Sequence, residues 1–196
     1  MIYLDLFRAL EKHQVRYLLV GGLAMNLHGV PRMTMDVDLV LVMNEGNLDR
    51  FIACAGELEL TPTAPVTLSS LKDPEQRKNW REQKHMIAFG LQNTRARIPV
   101  MVDVLIAPPL DIEQALARAV ERDVDGLSIK LAAVDDMIAL KQGTGRLQDI
   151  SDIEHLERLR GRLRHRFAHG CGGQAHAGRV ARALLHRAHL HRYPAL

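Results

Sequence analysis

The spacing of hydrophobic and polar residues predicts alternating helices and strands in the first third of the chain. Apolar side chains at helical spacing predict a helix over residues 4–13. The apolar run 15–22 ends in two glycines, which is typical of a buried strand followed by a tight turn. A short helix over 23–29, a central strand over 35–43 and an amphipathic helix over 47–60 are predicted next.

The remaining pattern predicts a loop, a strand pair and a run of helices. Residues 61–84 have mixed polarity and three prolines, which favours mostly loop. Two strands with a hairpin connection and then three helices are predicted in this order: 85–91, 92–98 (connection), 99–107, 111–123, 134–143 and 148–163. The fold class is therefore α/β or α+β, with a small mixed sheet of about four strands flanked by helices and with further helices at the C-terminal end.

The length and the charge distribution predict a single domain with a basic extension. Residues 1–110 are expected to form the core, 111–160 a C-terminal helical part of the same domain, and 161–196 an Arg/His-rich tail that is partly disordered. No acid follows Glu157, whereas the chain from Arg158 onward holds nine arginines. The rest of the chain holds 17 basic residues against all 23 acids, a formal charge of −6.

Composition argues against a membrane protein and a secreted, disulfide-rich protein. No apolar run approaches the ~18 residues that a transmembrane helix needs. The N-terminus lacks a basic segment followed by a cleavage site, so a signal peptide is not expected. Cys54 and Cys171 are far apart and match no zinc pattern, so a cytoplasmic protein with reduced thiols is predicted.

Three acidic residues occur in segments that otherwise read as buried strands. Asp36 and Asp38 are two residues apart in one strand, so their side chains project from the same face. Two carboxylates this close repel each other and raise each other's pKa, a problem that Mg²⁺ or Mn²⁺ would remove. Asp103, flanked by valines in a later strand, is the third candidate ligand. Three such carboxylates suit two-metal phosphoryl transfer, in which Asp103 would also help to ionise an attacking hydroxyl.

The glycine turn before the acidic strand has the chemistry of a phosphate site. Gly21 and Gly22 lie between a strand and a helix, where backbone N–H groups can face a phosphate and glycine permits close approach. Arg32 and Thr34 lie just before the acids and are candidates to contact phosphate oxygens. Both could equally be ordinary loop residues, and His28 is predicted to be a packed, hydrogen-bonded histidine.

Residues 21–41, GGLAMNLHGVPRMTMDVDLVL, resemble the signature of the nucleotidyltransferase superfamily with the polymerase-beta-like fold. There, a Gly-Gly or Gly-Ser turn precedes a helix, an Asp-x-Asp pair lies on the next strand, and a third Asp lies on a later strand. The variant in this chain is most similar to the AbiEii-type branch, which comprises toxins of bacterial toxin–antitoxin and abortive-infection systems. The resemblance covers residues 15–157.

A second stretch, residues 131–156, is similar to the same branch. Its pattern has a Lys on one helix and a Lys-Asp-x-x-Asp-Ile on the next, which Lys141, Asp149, Asp152 and Ile153 match, while Gln148 replaces the usual second Lys. The resemblance implies a triphosphate contact for Lys141 and a site role for both acids. All three could instead be solvated helix residues.

The resemblance implies a Mg²⁺-dependent enzyme that moves a nucleoside monophosphate from an NTP to an acceptor hydroxyl. The acceptor would be a tRNA 3′ end or a protein, and the chain would be a toxin with a cognate antitoxin. An antibiotic-modifying nucleotidyltransferase and a non-catalytic nucleotide- or RNA-binding protein on the same fold are the alternatives. The basic tail is either an RNA-binding arm, with a basic amphipathic helix over 178–193, or an extension without a specific function.

Overall fold

A computed structural model describes residues 2–93, 100–142 and 144–168, and within these ranges the side chains of residues 3 to 165. The helices are α1 Ile2–Lys12, α2 Gly21–Leu27, α3 Glu45–Glu57, α4 Pro74–Lys84, α5 Ile112–Ala117, α6 Val134–Lys141 and α7 Leu147–Ala168, with a 3₁₀ turn over Leu68–Lys72. The strands are β1 Tyr17–Val20, β2 Asp36–Leu41, β3 Thr61–Pro62, β4 Ala88–Gln92, β5 Met101–Leu105, β6 Val120–Val124 and β7 Leu127–Leu131.

All of these strands belong to one sheet with the order β3-β4-β5-β2-β1-β7-β6. The sheet is mixed, because β2 runs parallel to β5 and antiparallel to β1, while β1 runs parallel to β7. The predicted pair of strands across 92–98 is an antiparallel β4–β5 pair. The predicted fold class, a mixed sheet flanked by helices, is confirmed.

The position of β2 in the middle of the sheet explains why its sequence changes from alternating to continuously apolar. Val37 and Leu39 are fully buried on one face, and Val40 and Leu41 are almost fully buried as well. The strand therefore has core on both faces beyond Asp38, as expected for the middle of a sheet with helices on both sides. The two aspartates lie at the end of β2 where this double cover stops.

The prediction of a loop over 61–84 is wrong. This stretch contains β3, the 3₁₀ turn and α4. The Asp73 side chain caps α4 by accepting from the backbone N–H groups of Glu75 and Gln76, and Pro74 occupies the first helical turn. Trp80 is the buried anchor of α4. A helix held by one large side chain has no apolar periodicity, which is why the sequence pattern missed it.

The predicted helix over 111–123 and the predicted sheet of about four strands are also wrong. Helix α5 ends at Ala117, and β6 and β7 form a hairpin that, together with β3, enlarges the sheet from four strands to seven. The turn residues Asp125 and Gly126 have φ of 53° and 82°, as in a two-residue type I′ turn. Residues 111–160 are thus not all helical, and the Asp-Gly pair was the available signal for the hairpin.

Two predicted features lie outside the described residues. They are most of the connection 92–98, for which 94–98 are not described, and the proposed tail helix over 178–193. The first part of the predicted tail continues α7 to Ala168. Among the described residues, no helix is long and apolar enough to span a membrane.

Candidate nucleotidyl-transfer site

Strand pairing brings the three predicted carboxylates to one place on the sheet. The parallel register of β2 and β5 sets Asp38 directly opposite Asp103, and Asp36 opposite Met101. Residues opposite each other on neighbouring strands share a face, and neighbouring strands lie about 4.7–4.9 Å apart. Asp36, two residues before Asp38, projects from that same face. Acids separated by 65 positions in sequence therefore meet through one strand pair.

The negative charges of Asp38 and Asp103 are only partly balanced by nearby positive charges. Burial, then the charges of Asp103 and Asp36, raise the pKa of Asp38 to about 6, although Lys141 and Arg32 oppose the shift. Burial and Asp36 likewise raise the pKa of Asp103. Among the described side chains, none donates a hydrogen bond to either carboxylate, so the site has negative charge without matching donors.

The glycine turn is packed against both the acids and the loop that precedes them. Gly21 has φ +67°, and a Cβ at this position would overlap the carboxylate of Asp38. A Cβ on Gly22 would overlap the guanidinium of Arg32 and approach Thr34 Cβ to 2.7 Å. Close approach rather than turn geometry alone therefore explains both glycines.

The second stretch of the sequence folds into a cation-holding network. Asp152 accepts from Arg32 Nε at 3.0 Å and from Lys141 Nζ at 2.6 Å, and Asp149 accepts from Lys141 at 2.9 Å. The side chains of Asp149 and Asp152 are only 5% and 3% exposed, and that of Lys141 is 11% exposed. These three are thus not solvated helix residues, because their charges are buried and paired with one another.

Further donors complete the hydrogen bonding of the two buried acids. Gln148 Nε2 donates to Asp152 at 3.1 Å, so the residue that departs from the family pattern still contacts the network. Thr144 Oγ1 and Arg146 Nε donate to Asp149 at 2.8 and 2.7 Å. Burial would raise the pKa of Asp149, but the hydrogen bonds from Lys141 and Thr144 and the nearby charges outweigh burial and lower it.

Two residues that the sequence pattern did not single out also support the site. Asn26 holds the main chain of Arg32 at both groups, donating to its carbonyl at 2.8 Å and accepting from its N–H at 2.7 Å. The Tyr3 hydroxyl donates to the Met35 carbonyl at 3.2 Å, beside Asp36. Both contacts join distant elements to an irregular loop, so no periodic signal could have found them.

The sequence profile of the family described as nucleotidyl transferase AbiEii toxin, type IV toxin–antitoxin system, matches residues 4–169. The chain belongs to this family. The predicted family and the predicted nucleotidyltransferase activity are thereby confirmed. A search of curated proteins found no match.

Two solved structures show distant similarity to this AbiEii-family chain. The lincosamide antibiotic adenylyltransferase LnuA, solved with bound lincomycin, is 13% identical with a TM-score of 0.48, covering 76% of this chain and 90% of its own. ANT(2″)-Ia in complex with adenylyl-2″-tobramycin is 14% identical with a TM-score of 0.49, covering 85% of this chain and 97% of its own. At this distance the similarity identifies no substrate.

Nucleotidyltransferases generally use divalent metal ions, which carboxylates of this AbiEii-family protein would hold. The described residues contain no group of three or more His, Cys, Asp or Glu that forms a complete metal site. Mg²⁺ is nevertheless bound in such enzymes by one or two carboxylates together with substrate phosphates and water. Asp38 is partly buried, lies opposite Asp103 and accepts no hydrogen bond from the described side chains, so it fits a site that the substrate completes.

All ten predicted site residues of this nucleotidyltransferase lie in one connected region. Gly21 touches Asp38, Gly22 touches Arg32 and Thr34, and Asp152 joins Arg32 to Lys141. Of the remaining three, Asp36 and Asp103 are close enough to Asp38 to raise its pKa, and Asp149 bonds to Lys141. His28, predicted to be structural, is 8% exposed, and its Nε2 lies 2.8 Å from the Ala132 carbonyl oxygen.

Proposed function

We propose that this AbiEii-family nucleotidyltransferase moves a nucleoside monophosphate from an NTP to an acceptor hydroxyl at Asp36, Asp38 and Asp103. The observation that supports this most is Asp38, which is partly buried opposite Asp103, has its pKa raised to about 6 and accepts no hydrogen bond from the described side chains. A carboxylate that has no partner among the described side chains and whose pKa is raised is suited to binding a ligand from outside.

The acidic residues would divide the work between the triphosphate and the acceptor. Asp36 and Asp38 would hold Mg²⁺ or Mn²⁺, which neutralises phosphate charge when bound. Asp103 would take part in ligation and accept the proton of the acceptor hydroxyl. The acceptor oxygen would then form a bond to the α-phosphorus while the bond from that phosphorus to pyrophosphate breaks.

The cations next to these acids would bind the phosphates. Arg32 and Lys141 are close enough to Asp38 to lower its pKa, and both are held by Asp152. Gly21, Gly22 and Thr34 would line the same phosphate pocket, since Gly21 lies against the Asp38 carboxylate and Gly22 lies against Arg32 and Thr34. In this assignment Asp149 and Asp152 position the cations and do not contact the substrate.

Our proposals for the acceptor and for the biological role are based on membership of the AbiEii family. We propose a tRNA 3′ end or a protein hydroxyl as the acceptor, and a toxin function that a cognate antitoxin restrains. The division into 1–110, 111–160 and 161–196 and the RNA-binding role of the tail remain predictions.

The test is transfer of label from each α-³²P NTP to total tRNA and to protein, with Mg²⁺ or EDTA. We expect Mg²⁺-dependent labelling and pyrophosphate release from the full chain, and loss of at least a hundredfold in Asp38→Asn and Asp103→Asn. Asp135→Asn is the matched control, because Asp135 is an exposed acid paired only with Arg160 among the described residues. Full activity in Asp38→Asn would refute the assignment, and nucleotide binding without transfer would favour the non-catalytic alternative.

A further inference from the structure

The face of the sheet that carries the three carboxylates continues beyond Asp103 onto β4. Gly90 on β4 lies directly opposite Asp103, and Gln92 lies opposite Met101. Residues paired in this way share a face, so Gly90 and Gln92 lie on the same side of the sheet as the carboxylates. Met101 is 39% exposed, and Gly90 and Gln92 are half-buried. This side of the β4–β5 pair is therefore accessible to a ligand.

The other face of the same two strands belongs to the core. The alternating residues Phe89 and Leu91 of β4 and Val102 and Val104 of β5 are almost fully buried. Trp80 of α4 packs on this face, with 5.2 Å between the ring centroids of Trp80 and Phe89. Helix α4 thus supports the strand pair from the side opposite to the carboxylates.

Gly90 leaves a gap between two side-chain oxygen atoms. A Cβ at this position would lie 2.6 Å from Thr63 Oγ1 and 3.2 Å from Asp103 Oδ1. Both oxygens border the same small space, so a single hydroxyl group above Gly90 would be within hydrogen-bonding reach of both. The φ of Gly90 is not positive, so its backbone does not require a glycine. Close approach of another group is the remaining physical use of a glycine inside a strand.

Thr63 is fixed beside this gap by the carbonyl of Gly90 itself. The backbone N–H of Thr63 donates to that carbonyl at 3.0 Å, and the Thr63 hydroxyl donates to it at 3.3 Å. The second bond is long and therefore weak, so the exposed hydroxyl can turn toward a ligand while the backbone bond keeps Thr63 in place. Thr61 and Gln92, the neighbours on this face, are uncharged. A neutral hydroxyl-bearing group suits this place, whereas a phosphate would be repelled by Asp103.

We propose that Gly90 and Thr63 form the acceptor subsite of the enzyme. Gly90 leaves the space for the hydroxyl-bearing group of the acceptor, and Thr63 donates a hydrogen bond to that group while Asp103 accepts the proton of the reacting hydroxyl. The acceptor oxygen then bonds to the α-phosphorus, and pyrophosphate leaves with the electrons of the broken bond. This inference rests on the proposed function, because it presumes an acceptor hydroxyl at Asp103. Gly90 would limit which acceptors fit, and Thr63 would contact them.

The test uses two substitutions in the full chain, each with a matched control. Gly90→Ala fills the space, and Gly56→Ala is its control, because an added Cβ at the exposed Gly56 would meet nothing within 4 Å. Thr63→Val removes the hydroxyl at nearly constant volume. Thr61→Val is its control, because the Thr61 hydroxyl makes the equivalent bond to the Gln92 carbonyl at 3.3 Å but lies two residues away along the chain.

Transfer of label from each α-³²P NTP is measured with Mg²⁺ and two acceptor probes, unfractionated tRNA and unfractionated cellular protein. Initial rates at several acceptor concentrations give kcat/KM for the acceptor. Binding of the NTP with Mg²⁺ is measured separately by fluorescence anisotropy, and urea unfolding checks that each variant is folded.

We expect Gly90→Ala to lower kcat/KM for the acceptor by at least about tenfold, because the added methyl group displaces the acceptor and the Thr63 hydroxyl. Thr63→Val should lower it by about fivefold, the usual effect of one lost hydrogen bond, and Thr63→Ser should restore it to within about twofold of the wild type. Binding of the NTP and the rates of both control variants should equal those of the wild type.

Two results would overturn the subsite. One is transfer by Gly90→Ala and Thr63→Val at the rates of their controls, and the Thr63 pair alone decides this if Gly90→Ala does not fold. The other is an equal loss of NTP binding, which would assign the space to the triphosphate. Failure of the proposed function is distinguishable, because then the wild type itself would label neither probe.

Discussion

At Gly21, backbone conformation and side-chain size are restricted for two independent reasons. Its φ of +67° disfavours any side chain, and a Cβ would also overlap the Asp38 carboxylate. Gly29 has φ +88° but open space around the position of a Cβ. Replacing Gly29 therefore measures the cost of the backbone conformation alone, whereas replacing Gly21 adds the cost of the overlap with Asp38.

We expect Gly21→Ala to lower the free energy of unfolding by at least 2 kcal/mol more than Gly29→Ala, which should cost about 1 kcal/mol. The additional loss comes from pushing the carboxylate of Asp38 away from Asp103. Urea unfolding of both variants measures the difference, and a transfer assay should show loss of activity only for Gly21→Ala. Equal unfolding free energies would mean that the turn relaxes without disturbing Asp38.

The pKa of Asp38 predicts an unusual pH dependence for the metal-free protein. Burial and the neighbouring acids raise this pKa to about 6 from 3.8, so the folded state holds the proton more tightly than the unfolded state. Below about pH 4 the group is protonated in both states and carries no penalty. Through this group alone, the free energy of unfolding should fall by up to about 3 kcal/mol as the pH rises from about 4 to about 6.

The measurement is urea unfolding in EDTA between these pH values for the wild type and Asp38→Asn. Other carboxylates titrate in the same range, so the quantity of interest is the difference between the two proteins. We expect Asp38→Asn to become progressively more stable than the wild type as the pH rises. A difference that stays constant with pH would show that Asp38 has an ordinary pKa.

At the scale of elements, the buried acids of α7 connect it to α6 and to the loop before β2. Asp152 is 2% exposed and bonds to Arg32 from that loop and Lys141 from α6. Removing one partner from a buried charge network leaves the others uncompensated, which typically costs about 3 kcal/mol. The same contacts hold the two cations that we assign to the triphosphate.

We therefore expect Asp152→Asn to destabilise the fold by about 2–4 kcal/mol and to raise KM for the NTP more than it lowers kcat. Asp149→Asn should act in the same direction through Lys141. Asp135→Asn, at an exposed ion pair, should cost less than about 1 kcal/mol and leave KM unchanged. A purely structural role would appear as lost stability with unchanged KM at a temperature where the variant is folded.

For the whole molecule, three converging acids predict stabilisation by the ligands that neutralise them. Binding of Mg²⁺ and NTP at a hundredfold excess over Kd adds about 2.7 kcal/mol to the free energy of unfolding, or about 5–10 °C in Tm for a chain of this size. The variant with Asn at positions 36, 38 and 103 should not respond. It should also melt higher than the wild type in EDTA, because the repulsion is gone.

Differential scanning fluorimetry at constant ionic strength measures this, with NaCl replacing MgCl₂ in the control. A wild type whose Tm is indifferent to Mg²⁺, with and without triphosphate, would contradict the assignment of the acids. A triple variant that responds as the wild type does would place the ligand elsewhere in the molecule.

Sequence patterns predict those features that depend only on the type and spacing of neighbouring residues. The period-2 placement of Asp36 and Asp38, the glycines at the strand end and Asp103 among valines predicted the acidic site and the family without coordinates. The alternation and apolar runs of β1, β2, β4 and β5 were recognised for the same reason. These features depend on neighbours in sequence, which a pattern contains.

Tertiary structure decided what depends on contacts between distant segments. Only the parallel β2–β5 register sets Asp38 opposite Asp103, and only the packing of α7 turns Asp149 and Asp152 from apparently solvated acids into buried anchors for Arg32 and Lys141. Helix α4 is held by the single buried Trp80, and β6–β7 by strand pairing. Burial and long-range pairing supply most of the free energy in these places, and neither leaves a periodic trace in the sequence.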